Sequence, residues 1–370
     1  MLPIANRSGK GLSFLDSLFT ATSATCVTGL VVADTWTQFN LLGQAILLIL
    51  IQVGGLGYMT MMLQAALLMG KKLGLRQRSV MMESVSAQRL SDVRTLLRYI
   101  LGGAALIEGA GALLLAIRFI PELGPARGLW YAVFHSVSAF CNAGFDLMGF
   151  REPYSSLTHY VYDPLVNLTA VALVLLGGLG FLVWRDMREN GLHLRRYSLH
   201  SKLMLAATLI LTVGGTALFW LAERDNLLAG MAPGRQALVS LFQAVSPRTA
   251  GFNTVDLAQL TSGGGLLTIV LMFIGAGPGS TGGGVKVTTV VVCLLTLAAY
   301  IRGRRVFEVF SALSTVGLST GITRDLSPLN RAVVIAMMYC GRIGSLSMLM
   351  ALAQRSAPRV KDPVENITIG

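Results

Sequence analysis

The sequence predicts an all-α polytopic membrane protein with a fourfold internal repeat. Three observations predict it: apolar blocks of membrane length, loops that alternate between basic and charge-balanced, and glycine motifs that recur in pairs. Of the 370 residues, 53% are hydrophobic and 13% charged, and the mean hydropathy is +0.64. Soluble domains carry about 25% charged residues. A bilayer core takes about 20 apolar residues per helix, and the blocks near 41–70, 95–120, 164–184, 203–222, 265–300 and 330–352 reach that length.

The net charge of +12 is not spread as a nucleic-acid binder would spread it. Lys71, Lys72, Arg76, Arg78, Arg89 and Arg94 crowd one loop, Arg185, Arg188, Arg195, Arg196 and Lys202 flank another, and Arg302, Arg304, Arg305, Arg355, Arg359 and Lys361 follow the last two blocks. The intervening loops are nearly balanced, as at Glu223, Arg224 and Asp225. This is the positive-inside pattern. It puts 71–94, 185–200, 301–305 and the C-terminus in the cytoplasm of a multi-pass plasma-membrane protein surrounded by lipid, and it argues against a nucleic-acid partner. Residues 1–13 lack the apolar core of a cleavable signal. Cys26, Cys141, Cys293 and Cys340 show no zinc spacing. With no paired carboxylates, triad or metal cluster, the chain is not expected to be an enzyme or to carry a cofactor.

Four related runs give the repeat: TSATCVTGLVV at 22–32, HSVSAFCNAGFDL at 135–147, FQAVSPRTAGFNT at 242–254 and FSALSTVGLST at 310–320. They share Gly29, Gly144, Gly251 and Gly317. A long apolar stretch follows each and holds a second motif: VGGLG at 53–57, LGGLG at 176–180, IGAGP at 274–278 and CGRIG at 340–344. From first to second glycine the offsets are 25, 33, 24 and 24 residues, a true internal period. Physically, each run suits a re-entrant loop, since non-helical backbone at membrane depth is tolerated where it lines a water-filled cavity. Four such loops would ring an axis with carbonyl oxygens able to replace a cation's hydration shell. Each glycine would let the backbone turn its carbonyl inward, and each preceding short helix would aim its negative end at the cavity. Asp16 would N-cap the first of these helices, His135 would pack within the second, and Glu108 would be a structural hydrogen-bonding residue.

The runs LFTATSATCVTGLVVADT, FCNAGF, SPRTAGFNTVD and STVGLSTGIT resemble the pore loops of the Trk/Ktr/HKT superfamily of potassium transporters, and the first run and the end VENITIG are closest to the membrane subunits of its Ktr branch. The resemblance spans nearly the whole chain. It implies a pore of four M1–pore loop–M2 units, a homodimer, and a cytosolic nucleotide-binding ring as regulatory partner. It implies a potassium filter at Val27, Thr28 and Gly29, at Asn142, Ala143 and Gly144, at Thr249, Ala250 and Gly251, and at Thr315, Val316 and Gly317. Glycine at all four positions favours potassium; a sodium-permeable transporter of the same family is the alternative.

The segment FIGAGPGSTGGGVKVTT, 273–289, cannot continue a helix through its proline and glycines. Gly277, Gly279 and Gly282 fit GxGxxG, but without a βαβ setting or a downstream acid, and a Walker match fails because Val287 follows Lys286. In the family this segment is an intramembrane gate below the filter. It would comprise Gly275, Gly277, Pro278, Gly279, Gly282, Gly283, Gly284 and Lys286. Arg342 stands in an apolar helix where the other units have Gly55, Gly178 and Ala276. A mid-membrane Arg needs water or a partner. The resemblance implies that it projects into the pore as part of the gate; the other reading pairs it with a buried acid such as Glu108.

Spacing departs from the family pattern. Gly29 to Gly144 is 115 residues and Gly144 to Gly251 is 107, but Gly251 to Gly317 is only 66. The shortfall is roughly one membrane helix with its loop. Only 15 residues precede Asp16. The expected units are therefore 1–78 without an M1, 79–197, 198–304 with a broken M2, and 305–370 without an M1. A defective or truncated transporter, or a non-conducting scaffold, stands beside a working transporter as an expectation.

Overall fold

In the computed structural model, the described residues are 3–9, 11–57, 93–191, 193–301, 331, 334, 335 and 338. Residues 1–290 form one compact unit, and those from Val291 onward belong to a second. Gly317, Thr315, Val316, Arg342 and the whole 305–370 repeat as a repeat lie outside the described residues, as do most of the basic stretches 71–94 and 301–305 and the C-terminus.

The first unit is helical. Its elements are α1 (Phe14–Thr25), α2 (Thr35–Gln38), α3 (Leu41–Gly55), α4 (Val93–Leu123), α5 (Pro125–Phe140), α6 (Pro164–Leu179), α7 (Phe181–Asn190), α8 (Leu199–Glu223), α9 (Pro233–Val245) and α10 (Ser262–Phe273); α11 (Val287–Ile301) runs on into the second unit. Local chemistry sets their starts. Asn40 accepts from Gly43 N–H, Asp163 from Leu165 and Val166, Ser198 from Ser201 and Thr261 from Gly264, each filling donors a helix start leaves open. Pro125, Pro164 and Pro233 stand at first helical positions, where a missing N–H costs nothing.

Two expectations need correction. Ser13, not Asp16, caps α1: its Oγ accepts from Asp16 N–H at 3.1 Å and donates to Asp16 Oδ2 at 2.8 Å. Asp16 sits at the third helical position and answers the cap, a reciprocal pairing that a lone acid near a helix start does not reveal. The block 164–184 is not one straight helix, because α6 and α7 meet at 96° around Gly180 with φ +97°. Of the block 41–70, residues 41–57 are described and are helical to Gly55, and the rest lies outside the described residues.

Helices α4 and α8 are long and apolar enough to cross a membrane, and the bent α6–α7 pair together would make a third. In chain order, α1 and α3 flank the first glycine loop, α4, α5 and α6 surround the second, and α8, α9 and the broken α10–α11 surround the third. The central core lies between α4, α5 and α6, where Phe119, Phe134, Phe140, Phe145 and Leu147 are fully buried.

Candidate functional site

Three short helices, α1, α5 and α9, end in the three described glycine loops. The first two loops leave their helices by the same hydrogen bonds. Cys26 N–H bonds Thr22 O, Val27 bonds Ala24, and Thr28 bonds Ser23 at 2.8 Å; Cys141 bonds Val137, Asn142 bonds Ala139, and Ala143 bonds Ser138 at 2.8 Å. In the third, Pro247 lacks an N–H and the exit is re-routed, with Ala250 and Gly251 both bonding Ser246 O. All three arrive at one backbone pattern. Val27 (φ +56°) and Gly29 (+83°), Asn142 (+58°) and Gly144 (+71°), Thr249 (+78°) and Gly251 (+79°) are left-handed, and the residue between each pair is not. Val27 and Thr249 are β-branched, for which positive φ is a genuine outlier, held by its surroundings.

These loops meet. A Cβ on Gly29 would lie 2.5 Å from Ala143 O and 3.4 Å from Gly144 Cα; one on Gly144 would lie 2.5 Å from Ala250 O and 3.2 Å from Gly251 Cα. The first loop thus stands to the second as the second stands to the third. The second glycine motif has an equally repeated job. Gly54 lies against Thr25 O and Gly177 against Phe140 O, in each case the carbonyl four residues before the loop glycine. A side chain there would push α3 or α6 off the end of the neighbouring short helix.

The run 274–286 is non-helical and is stitched rather than slack. Gly275 N–H bonds Val285 O at 2.9 Å, Ala276 bonds Gly283 O, Gly277 bonds Gly178 O and Thr281 bonds Gly177 O, while Phe181 N–H bonds Gly279 O at 2.8 Å. Those last bonds fill the break between α6 and α7, and Pro278 O lies where a Cβ on Gly180 would go. Gly282 abuts Thr249 Oγ1 and Asn142 Nδ2, the first residues of two loops, and Gly284 (φ +74°) abuts Gly275. Lys286 Nζ donates to Gly282 O at 2.9 Å.

Thr281, which sequence reasoning passed over, donates its hydroxyl to Phe140 O at 2.8 Å and takes a long 3.5 Å contact from Asn142 Nδ2. Also missed were Ser138 and Ser246, whose hydroxyls donate to Phe145 O and Phe252 O just beyond each glycine. Ser23, at the position of Ser138, is buried with no bond from its Oγ. A serine in a Thr/Ser-rich run gives no sign of which carbonyl it will reach.

Glu108 is hydrogen-bonded as expected, by Gln52 Nε2 at 2.9 and 3.0 Å. His135 is packed: Nδ1 donates to Tyr131 O, Nε2 accepts from Leu147 N–H, and the ring meets Phe119 edge-on. In the loop beyond Gly144, Asp146 accepts from Met148 N–H. Its removal from water pushes its carboxyl up to about 6, the Met148 bond opposes this, and the Asp34 carboxylate adds to it.

A family model described as TrkH, cation transport protein, matches residues 2–305 and 304–358. The potassium/sodium uptake protein NtpJ of Enterococcus hirae is 36% identical over 423 positions, covering all of this chain and 92% of that protein. Ktr system potassium uptake protein B of Vibrio alginolyticus is 38% identical, covering 98% of this chain and 90% of that protein, and that of Bacillus subtilis is 36% identical, covering 100% and 92%. The crystal structure of the potassium transporter TrkH from Vibrio parahaemolyticus superposes with a TM-score of 0.61 at 19% identity, over 92% of this chain and 79% of that one, which is a likeness of fold. The alignment of 423 positions exceeds this chain's 370 residues by 53. The family match breaks at 304–305, inside the short Gly251–Gly317 interval.

Proposed function

We propose that this chain, which belongs to the TrkH family of cation transport proteins, takes up potassium across the plasma membrane through a filter built from its glycine loops. The observation that carries the reading is the meeting of three loops with the same alternation of left-handed residues. Positive φ at two positions takes each loop out of helix and strand geometry, and backbone carbonyls gathered around an axis can substitute for a cation's water. The filter residues are Val27–Gly29, Asn142–Gly144 and Thr249–Gly251, with Thr315, Val316 and Gly317 as the fourth set from the repeat. The run 275–284, with Lys286, lies against Asn142 and Thr249 and acts as the gate, and Arg342 joins it by family likeness.

The words Ktr system in the names of two relatives support a regulatory partner subunit; a cytosolic nucleotide-binding ring and a homodimer in lipid rest on the family resemblance, and basic loops on the cytoplasmic side rest on the positive-inside pattern. A second reading, a member of the family that does not conduct, is favoured by the break at 304–305. Expression in a potassium-uptake-deficient cell distinguishes them. Growth at low external potassium and rubidium uptake, both lost in Gly144→Ala, are expected of the transporter. Correctly inserted protein without uptake would leave the non-conducting reading. Sodium uptake in the same cells tests the broader cation range printed in the name of NtpJ.

A further inference from the structure

The second loop is anchored from behind by a polar cluster that has no copy in the other two described repeats. Gln52 Nε2 on α3 donates to both carboxylate oxygens of Glu108 on α4 at 2.9 and 3.0 Å. Cys141, the residue before the filter run Asn142–Gly144, sets its Sγ 3.6 Å from Gln52 Oε1 and 3.9 Å from Glu108 Oε1. Ser136 Oγ, one turn earlier on α5, donates to Glu108 O at 2.6 Å. A Cβ on Gly55 would lie 2.6 Å from Cys141 Sγ, so α3 closes on the thiol. Cys141 is fully buried and Glu108 is 9% exposed. The corresponding position is Cys26 in the first repeat, which is exposed, and Arg248 in the third, which reaches Thr212 Oγ1 on α8 at 3.4 Å.

We propose that Glu108 and Gln52 are positioning residues that hold Cys141, and through it the Asn142–Gly144 carbonyls, at the spacing that separates potassium from sodium. The inference rests on the filter reading above. Where cavity size sets carbonyl selectivity, discrimination depends on how far the carbonyls can follow a smaller ion inward, so the stiffness of the loop's foot enters directly. That foot carries a strained residue, Asn142 at φ +58°, which persists only where its surroundings over-determine it. On one side Thr281 grips Phe140 O; on the other the Gln52–Glu108 fork backs Cys141. A buried polar network whose members are all bonded fixes one arrangement where apolar side chains would allow several.

The test uses the full chain, with uptake of rubidium and sodium in uptake-deficient cells and, on purified protein, thermal stabilisation titrated with KCl and with NaCl. Glu108→Ala is expected to lower the preference for potassium over sodium about fivefold or more in both measurements. Glu108→Gln, which keeps an acceptor for Gln52, should restore most of that preference. Cys141→Ala, which leaves no large cavity, guards against a Glu108 variant that does not fold and should lower the preference in the same direction. Variants that reduce rubidium and sodium uptake in equal proportion, with the ratio of the two stabilisation midpoints unchanged, would overturn the inference and leave the filter reading standing. A parent chain that neither takes up rubidium nor is stabilised by KCl would overturn both.

Discussion

Ahead of the second glycine loop, the short helix α5 lies against the long helix α4, and Tyr131, Phe134 and Phe140 on it are buried. In the first repeat α1 shows a bare apolar edge, with Phe14 67% and Leu15 71% exposed and Leu18 and Phe19 beside them. Cys141 is sealed behind one loop and Cys26 is open behind the other. Yet both loops leave their helices through the same hydrogen bonds and carry left-handed residues at the same two positions. The loop's shape is therefore set by what the two stretches share: the helix-end bonds and the glycine of α3 or α6 that lets that helix reach the last helical carbonyl. A covering helix such as α4 adds anchorage, not conformation.

The sharpest way to break this comparison is at the shared glycines. Gly54→Ala and Gly177→Ala each drive a methyl into a carbonyl, Thr25 O or Phe140 O; at Gly177 the methyl also meets Thr281 Oγ1 at 2.6 Å. Overpacking of this kind costs about 1–3 kcal/mol, and both variants should lose most rubidium uptake. Comparable losses would support one shared device. A normal Gly54→Ala beside an inactive Gly177→Ala would mean that the first loop is shaped by something else.

Much of this site could be read in advance, and for a definite reason. Gly29, Gly144 and Gly251 are places where a side chain meets a neighbouring loop or the backbone needs φ above +70°, so glycine marks them in the sequence. The broken helix at 273–289 was equally legible, because Pro278 and the glycines around it exclude a helix. Val27, Asn142 and Thr249 were legible as matching positions of the glycine loops but not as left-handed residues, since nothing in their side chains favours that backbone. The bend between α6 and α7 was hidden because it depends on a distant partner: Gly180 opens there and Gly279 O supplies the bond to Phe181 N–H. The Gly251–Gly317 interval is short in the sequence, and the family match passes from one range to the next inside it, at 304–305.

A second, smaller difference separates the serines. Ser138 Oγ donates to Phe145 O at 2.7 Å, so Ser138→Ala strands a buried acceptor and should cost about 1–3 kcal/mol. Ser23 has no such bond, and Ser23→Ala should leave thermal stability within about 0.5 kcal/mol of the parent. Thermal unfolding of the two variants in the same detergent reads the gap directly. Equal losses would show that the first loop is clamped like the second, and that its bare edge does not weaken it.

The smallest expected effect lies where the two short helices α1 and α5 begin. Helix α5 is delivered by α4 through Gly124 (φ +81°), whose N–H bonds Ile120 O at 2.9 Å, with Pro125 next and no side-chain cap. Helix α1 has no such lead-in among its described contacts and starts on its own Ser13–Asp16 pairing. A capping serine is worth about 1 kcal/mol, so Ser13→Ala should lower the unfolding midpoint by an amount that fits this. Asp16→Asn keeps an acceptor near Ser13 Oγ and loses only the favourable charge at the helix start, about 0.3–1 kcal/mol when exposed. Uptake should survive both changes, because the cap sits at the far end of α1 from Val27–Gly29. If Asp16→Asn cost more than Ser13→Ala, the cap would belong to the acid after all. If Ser13→Ala abolished uptake while the fold persisted, the first loop would depend on how its helix starts, and its conformation would not be set by the shared bonds at the helix end.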